Sequence, residues 1–274
     1  MSAKPAESAT GHFLQGKVVL VTRPTHQAAA MLQLLEQKGA RPLAFASIEI
    51  RPVAPDAALK HRLSALHEYD QLIFVSVNAV EHTVLLLQKL NIPVEAIKNK
   101  IAVIGRATQV AAERAGFKIT QALEKGFNSE SLLAHAAFQA PRVNTKKILI
   151  LRGKGGLAQL GDTLQQRGAK VDYAEVYRRA IPQQDACIKR QQLSLNWSQQ
   201  QINAVSVTSN ESLQNLYDML EPPGRDALLE TWLIVPSQRC MQLARRLGFQ
   251  FVRAAESALN EHMLDALNDV MKKL

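Results

Sequence analysis

An internal repeat of strand–turn–helix segments limits the possible folds of this chain more than any other feature. The segments VLVTRP and LILRG both end an apolar run at a positive turn, and aligning them places Arg23 on Arg152. This alignment, called the first offset below, also places Gly39 on Gly168, and both glycines end the helical patterns that follow. Glycine is common just after a helix because it adopts a left-handed backbone conformation easily. We therefore predict two halves of similar design.

A second pair of segments supports the same interpretation. Aligning FVSVNAV with SVTSNES places Asn78 on Asn210, and Gly105 falls on Ser237 in the same alignment, called the second offset below. Any two α/β domains share a strand–turn–helix rhythm, so chance explains part of this agreement. Several matches at nearly one separation nevertheless favour duplication.

Short apolar runs alternate with amphipathic segments along the whole chain. In the clearest example, Ile148–Leu151 is an apolar run typical of a buried strand, and Leu157–Arg167 carries apolar residues at helical spacing. A second strand follows through Val171, Tyr173 and Val176. The alternation predicts an α/β fold with mostly parallel sheets, flavodoxin-like or Rossmann-like, in two similar lobes.

Composition narrows the classes of partner. The chain has 274 residues, with 33 Lys and Arg against 24 Asp and Glu, and this net charge of +9 favours anionic ligands. Aromatic residues make up only 5%, too few for a surface on which nucleic-acid bases stack, so we expect no nucleic-acid partner. No run of 18 apolar residues occurs, which predicts no membrane-spanning helix.

Cysteine usage and the first residues indicate a compartment. Cys187 and Cys240 have no metal-ligand spacing around them, which favours a reducing compartment and no structural metal. Residues 1–15 are small and polar without the apolar centre of a signal peptide, and we interpret them as a disordered tail. We therefore expect a cytoplasmic protein.

A small polar turn follows each predicted strand, and these turns carry the candidate ligand-binding residues. Carboxyl ends of parallel strands meet at one edge of a sheet, where open α/β folds bind ligands. Helix N-termini and hydroxyl or amide side chains at this edge bind carboxylate or phosphate groups. The candidates are Arg23, Ser76, Asn78, Gly105, Thr108, Ser129, Arg152, Gly153, Ser209, Asn210 and Ser237.

Two interpretations of these turns remain open. The Ser, Thr and Asn residues at such positions also serve as helix N-caps without any ligand. Arg23 and Arg152 are harder to explain as caps, because a cation opposes the dipole at a helix N-terminus and therefore implies an anion there.

One motif leaves a nucleotide-dependent enzyme as an alternative. Gly153-x-Gly155-x-x-Ala158 follows a strand and matches a loose dinucleotide-binding fingerprint, with Asp172 or Glu175 near the expected acidic position. The cations in this turn and the lack of a glycine counterpart in the first half count against it. No GxSxG motif and no pair of carboxylates accompanies the turns, which favours positioning of a ligand over strong acid–base chemistry. A non-enzymatic two-lobe module that binds a small polycarboxylate is the other alternative.

Several short motifs stand in the order and spacing of one known family. They are VTRP, FVSVNAV, AVIGRAT, FNSESLL, ILRGKGG with GDTLQQRGA, VYRR, VTSNES and VPSQR. Through them the chain resembles the uroporphyrinogen-III synthase family over nearly its whole length.

The resemblance implies two α/β lobes joined by a two-strand connector. The first lobe would comprise 1–43 with 180–274, and the second 46–176. The connecting strands would lie near 41–52 and 171–181, which agrees with the long alternating stretch Pro42–Val53.

The resemblance also implies a reaction and its site. The reaction is closure of the linear tetrapyrrole hydroxymethylbilane to uroporphyrinogen III, with loss of water and inversion of ring D, through an azafulvene and a spiro intermediate. No cofactor and no metal are implied; the substrate would be handed over by hydroxymethylbilane synthase, and a monomer is expected.

Tyr177, in VYRR, matches the family tyrosine that assists departure of the hydroxyl group. Val75 departs from the family, in which a hydroxyl residue is common at that position. Ligand-lining positions of the family fall on Ser76, Thr108, Ser209, Asn210 and Ser237.

Overall fold

A computed structural model describes residues 13–121, 129–182, 193, 197, 199 and 202–272. Most of the disordered tail predicted for residues 1–15 lies outside these residues. The tail does not extend to Leu14, which is 1% exposed and packs in the apolar core, and the Gly16 N–H donates to Gly39 O at 2.8 Å. The polar stretch Gln183–Gln200 also lies almost wholly outside the described residues.

Strands and helices alternate through the described chain. The strands are β1 (Val18–Val21), β2 (Arg41–Ala44), β3 (Glu49–Pro52), β4 (Gln71–Phe74), β5 (Lys100–Val103), β6 (Lys147–Gly153), β7 (Lys170–Ala180), β8 (Ile202–Ser206), β9 (Trp232–Val235) and β10 (Val252–Ala254). The α-helices are α1 (Thr25–Gln37), α2 (Ala57–Ser64), α3 (Val77–Lys89), α4 (Arg106–Arg114), α5 (Ser129–Ala134), α6 (Ala140–Val143), α7 (Gln159–Gln166), α8 (Asn210–Met219), α9 (Pro222–Leu229), α10 (Gln238–Arg246) and α11 (Asn260–Met271). Short 3₁₀ turns lie at Leu66–Glu68, Val94–Ala96 and Ala136–Phe138.

The chain divides into two compact units, each with its own sheet. Unit 1 comprises Met1–Glu49 with Ala180–Leu274, and unit 2 comprises Ile50–Arg179. The first sheet has the order β10-β9-β8-β1-β2 with parallel pairing throughout, which is the flavodoxin-like order. The second has the order β3-β7-β6-β4-β5, and its pairs β7-β6, β6-β4 and β4-β5 are parallel. The predicted α/β fold with mostly parallel sheets is confirmed.

Strand register makes the internal repeat visible. Val18 in β1 pairs with Arg41 in β2, and the first offset carries this pair onto Lys147 and Lys170, which also pair. Ala102 forms a parallel bridge with Gln121, and the second offset carries this pair onto Ile234 and Arg253, which pair in the same way. Unit 1 therefore contains the first part of the first copy and the second part of the second copy. Unit 2 contains the second part of the first copy and the first part of the second copy.

The alignment of Asn78 with Asn210 is wrong by one residue. Ser76 caps α3 and Ser209 caps α8, so these two serines are equivalent, and Asn210 corresponds to Val77. The cause is a difference in length after the cap: Gln71 pairs with Lys100 and Ala204 with Trp232, so the second copy has one residue fewer between these strands. β8 has a separate irregularity at Asn203, which the pairing with β1 skips and whose side-chain carbonyl accepts from the Val18 N–H at 2.8 Å.

The central strands are apolar on both faces because helices cover both sides of each sheet. In β1, Val18 and Leu20 pack in one buried cluster with residues of α8, α9 and α10. Val19 and Val21 face the opposite cluster, which includes residues of α1 and α11. The Phe74 side chain of β4 is likewise fully buried in unit 2.

The stretch Pro42–Val53 is not one long strand. It forms β2 and β3, which are separated by residues 45–48. Phe45, Ser47 and Ile48 are buried there, so the chain turns its side chains into the unit instead of continuing to alternate. By contrast, the long strand expected through Val171–Tyr177 is present as β7.

Among the described residues, no helix is both long enough and apolar enough to cross a membrane.

A glycine in α7 allows this helix to lie close to β7. An added Cβ at Gly161 would overlap the hydroxyl group of Tyr173 and lie 2.7 Å from its Cζ. We predict that Gly161→Ala lowers the free energy of unfolding by about 1–3 kcal/mol through overpacking, although alanine favours helices elsewhere. Urea denaturation measures the change.

The matched control is the same substitution in a Tyr173→Ala background. With the ring removed, Gly161→Ala is expected to be neutral or to stabilise the fold by about 1 kcal/mol. Equal destabilisation in both backgrounds would contradict the packing argument.

Candidate functional site

The carboxyl edge of the unit 2 sheet collects polar residues from several turns. Ser76 follows β4, Gly105 follows β5, and Gly153 ends β6. Tyr177 lies near the end of β7, where its partner strand also ends. Because these strands are parallel, the four residues share one edge.

Tyr177 is the best-defined of these residues. It is only 3% exposed, and its hydroxyl oxygen lies 3.2 Å from Ser76 Oγ. The register between β6 and β7 shifts between Arg152 and Gly153, so that Gly153 pairs with Tyr177. The Lys154 N–H then donates to Tyr177 O at 2.8 Å. The shift turns the tyrosine toward the face of the sheet that carries α3, because a bulge re-aims the side chains of its strand.

Gly153 has a steric reason to be glycine. A Cβ at this position would lie 2.6 Å from Tyr177 Cζ and 3.0 Å from the hydroxyl oxygen. The residue therefore gives space to the tyrosine ring, a role that its position in a glycine-rich turn did not indicate.

His82 is a neighbour of Tyr177 that the sequence did not reveal. The imidazole of His82, on α3, stacks on the Tyr177 ring with a centroid distance of 5.6 Å and an interplanar angle of 27°. Nothing in a single sequence connects this histidine with a tyrosine on a distant strand. The phenol is thus fixed by three groups, namely the hydroxyl of Ser76, the imidazole of His82 and the backbone of Gly153.

The capping interpretation holds for three of the predicted serines. Ser76 Oγ accepts from Ala79 N–H at 3.1 Å, Ser209 Oγ from Ser212 N–H at 3.0 Å, and Ser237 Oγ from Cys240 N–H at 3.3 Å. Ser76 caps α3 and also belongs to the candidate site, since its hydroxyl contacts Tyr177.

The remaining candidates have various positions. Gly105 is the N-cap of α4 with a φ of 96°, and Thr108 is buried in the first turn of that helix. Asn78 lies in the first turn of α3, and Asn210 begins α8. Ser129 begins α5, whose Leu132 and Leu133 pack in a different apolar cluster from the one that contains Tyr177.

Arg152 makes several contacts within unit 2. Its guanidinium lies 3.7 Å from the centroid of the Tyr173 ring and pairs with Glu175 at 3.3 Å. It also donates to Gly156 O at 3.0 Å and Leu157 O at 3.2 Å. The side chain therefore holds the turn between β6 and α7 in one shape.

Glu175 acts as an internal anion for the same turn. Besides Arg152, its Oε1 accepts from the Gly155 N–H at 3.2 Å. A bound phosphate would use this N–H group and this cation. The contacts of the Gly153–Ala158 motif therefore do not favour a nucleotide at this turn.

Arg23, at the equivalent edge of unit 1, has different surroundings. Its Nη2 donates to Ala258 O at 2.6 Å. Burial lowers the pKa of the Arg23 guanidinium from its ordinary value. The described residues place no carboxylate within ion-pair distance of it.

A buried group of three hydroxyls stabilises the same edge of unit 1. Thr22 Oγ1 lies 3.0 Å from Ser212 Oγ, which lies 2.7 Å from Ser47 Oγ. The repeat places Leu151, Ala79 and Val176 at the equivalent positions of unit 2, and all three are fully buried. This group of hydroxyls is therefore specific to unit 1, and it fixes residues 45–48 against the start of α8.

The described residues contain no group of three or more His, Cys, Asp or Glu side chains that could hold a metal ion.

A family model described as uroporphyrinogen-III synthase HemD matches residues 29–265. Two bacterial proteins named uroporphyrinogen-III synthase, from Salmonella typhimurium (strain LT2) and Escherichia coli (strain K12), are each 34% identical to this chain. Both alignments cover 91% of this chain and 99% of the relative.

Solved structures agree at the level of the fold. A mutant uroporphyrinogen III synthase from the extremely thermophilic bacterium Thermus thermophilus has a TM-score of 0.61 at 17% identity and covers 94% of this chain and 100% of its own. The synthetase from Helicobacter pylori 26695 also scores 0.61, at 15% identity, with 93% of this chain and 100% of its own covered. From the family model and the two relatives at 34% identity, the chain belongs to the uroporphyrinogen-III synthase family.

Proposed function

We propose that this chain closes hydroxymethylbilane to uroporphyrinogen III, with loss of water and inversion of ring D. Membership of the family supports the reaction. The geometric observation that carries it is the Tyr177 phenol, held by Ser76 at the carboxyl edge of a parallel sheet. Such a site suits a reaction that needs one proton donor and accurate positioning.

Tyr177 assists departure of the hydroxyl group. The pyrrole nitrogen lone pair expels the hydroxyl as the C–O bond breaks, and the phenol supplies the proton that completes the water molecule. The Ser76 hydroxyl, at 3.2 Å, can donate to the phenolate oxygen that remains. The protonated azafulvene then bonds to the substituted carbon of ring D to form the spiro intermediate. The bond between that carbon and the methylene bridge to ring C then breaks, which leaves a second azafulvene on ring C. After ring D has inverted, its unsubstituted ring carbon bonds to this methylene and loses a proton to the phenolate, which restores the phenol.

Helix N-termini and Arg23 bind the acetate and propionate groups of the substrate. The polar starts of α3, α4, α8 and α10 present Ser76, Gly105, Ser209 and Ser237, and helix N-termini attract anions. The net charge of +9 supports the same preference. Arg152 contributes indirectly, because it holds the turn that leads into α7.

The free-energy difference that favours closure with inversion over closure without it is small. The azafulvene also closes in water without inversion, to the type I isomer. A hundredfold preference for the spiro route needs only about 2.7 kcal/mol of differential stabilisation. A few carboxylate contacts made in the folded substrate are enough to supply it.

The proposal also covers the oligomeric state, the compartment and the source of the substrate. We expect the chain to act as a monomer in the cytoplasm and to receive its substrate from hydroxymethylbilane synthase. The described cysteine supports a reducing compartment, since Cys240 is a buried free thiol.

The direct test supplies the chain with hydroxymethylbilane and separates the oxidised products by isomer. We predict mainly the type III isomer at a rate that scales with protein concentration. Type I product alone, at the rate of the reaction without protein, would exclude this function.

A substitution tests the role of the phenol. Tyr177→Phe removes the proton donor but keeps the ring that packs against Gly153 and His82. We predict that kcat falls about a hundredfold, at the lower end of the usual contribution of a general acid, while the type III isomer remains the main product. Single-turnover kinetics with isomer analysis measures both.

Tyr173→Phe is the matched control, because it removes a hydroxyl from the same strand on the opposite face. Its kcat should stay within about twofold of the unmodified chain, as expected for a residue that takes no part in the proton transfer. Equal loss in both variants, or no loss in Tyr177→Phe, would contradict the assignment.

A further inference from the structure

Arg23 and Arg152 lie at equivalent positions of the repeat but have different partners. Arg152 has a carboxylate partner, Glu175, and stacks on Tyr173. At the first offset, the equivalents of Glu175 and Tyr173 are Ala46 and Ala44. Unit 1 therefore keeps the cation, as Arg23, and lacks both side chains that satisfy it in unit 2. A half-buried guanidinium without a counter-charge is costly, so this position favours a carboxylate from outside the unit.

The loop between β10 and α11 adds hydrogen-bonding groups next to Arg23. The Ala255 N–H donates to Val235 O at 2.8 Å, which fixes the start of the loop, and Arg23 Nη2 donates to Ala258 O at 2.6 Å. Ser257, the neighbour of Ala258, accepts from the Leu259 N–H at 3.2 Å. The loop is thus held on both sides of Ser257.

His262 lies next to the Ser257 hydroxyl. Its Nδ1 lies 2.8 Å from Ser257 Oγ. An imidazole that donates through Nδ1 leaves the serine hydroxyl proton free for a ligand oxygen. Glu256 lies 3.7 Å from His262 Nε2, but its side chain is 83% exposed, so solvent screens this pair.

We infer that Arg23, Ser257 and His262 form a subsite for one carboxylate of the substrate at the carboxyl edge of unit 1. Arg23 gives the charge and a forked set of N–H donors beyond the one bonded to Ala258 O. Ser257 gives a hydroxyl donor whose direction depends on His262. In unit 2 the carboxylate of Glu175 has the equivalent place, which shows the chemistry that this position of the repeat binds. The inference rests on the proposed function, because it assigns the carboxylate to an acetate or propionate arm of hydroxymethylbilane.

The test introduces a carboxylate into unit 1 at the position that Glu175 has in unit 2. Ala46→Glu places an acid where the repeat has Glu175, and it should compete with the substrate for Arg23. We expect the affinity for uroporphyrin III, a stable octacarboxylate, to fall about tenfold, as for loss of one charge-assisted contact. The KM for hydroxymethylbilane should rise by a similar factor at nearly unchanged kcat. The melting temperature should not fall, because Arg23 gains a partner.

Ala46→Gln is the control, since it has nearly the same size without the charge. Its affinity for uroporphyrin III should stay within about twofold of the unmodified chain. Ser257→Ala probes the same subsite without an added charge, and it should weaken uroporphyrin III binding several-fold, so the test remains valid if Ala46→Glu destabilises the fold.

The inference is overturned if Ala46→Glu folds and binds uroporphyrin III as tightly as Ala46→Gln, or if Ser257→Ala leaves binding unchanged. Porphyrin binding is measured by fluorescence quenching without turnover. A chain that makes only type I product therefore overturns the proposed function, whereas unchanged binding in these variants overturns the subsite alone.

Discussion

Parallel pairing between strands from different copies of the repeat is the constraint on which this structure depends. β1 pairs with β8 in unit 1, and β6 pairs with β4 in unit 2, so each sheet joins the first part of one copy to the second part of the other. The backbone bonds of these buried strands are obligatory, because water cannot replace them in the core. All the polar turns that follow the strands consequently lie at the carboxyl edges, which is where α/β folds bind ligands.

The residues that we propose to be functional lie where the two copies have diverged. Tyr177 in unit 2 has Ile48 as its equivalent in unit 1, and that side chain is buried without a polar group. Glu175 has Ala46 as its equivalent, so the described part of unit 1 offers Arg23 no such carboxylate. Unit 2 therefore has a phenol where unit 1 has an aliphatic side chain. Unit 1 has a guanidinium without the carboxylate that accompanies it in unit 2.

Local patterns were sufficient to predict most of the strands, several helix ends and the edge of each sheet. Apolar runs, the glycines after helices and the serine N-caps depend on neighbours in sequence, and Ser76 was placed correctly at the start of a helix for that reason. The stacking of His82 on Tyr177 and the bond from Arg23 to Ala258 join distant segments, and no spacing in one sequence encodes them. The one-residue error at Asn210 has a similar origin, since the shorter connection between α8 and β9 is visible only from the pairing of the strands.

The central proposal is that the fixed phenol of Tyr177 donates a proton to the substrate. A crystal structure of this chain with uroporphyrinogen III, prepared without oxygen, tests it most directly. We predict the Tyr177 hydroxyl within hydrogen-bond distance of the bound tetrapyrrole. A bound tetrapyrrole with Tyr177 remote from it would contradict the proposal.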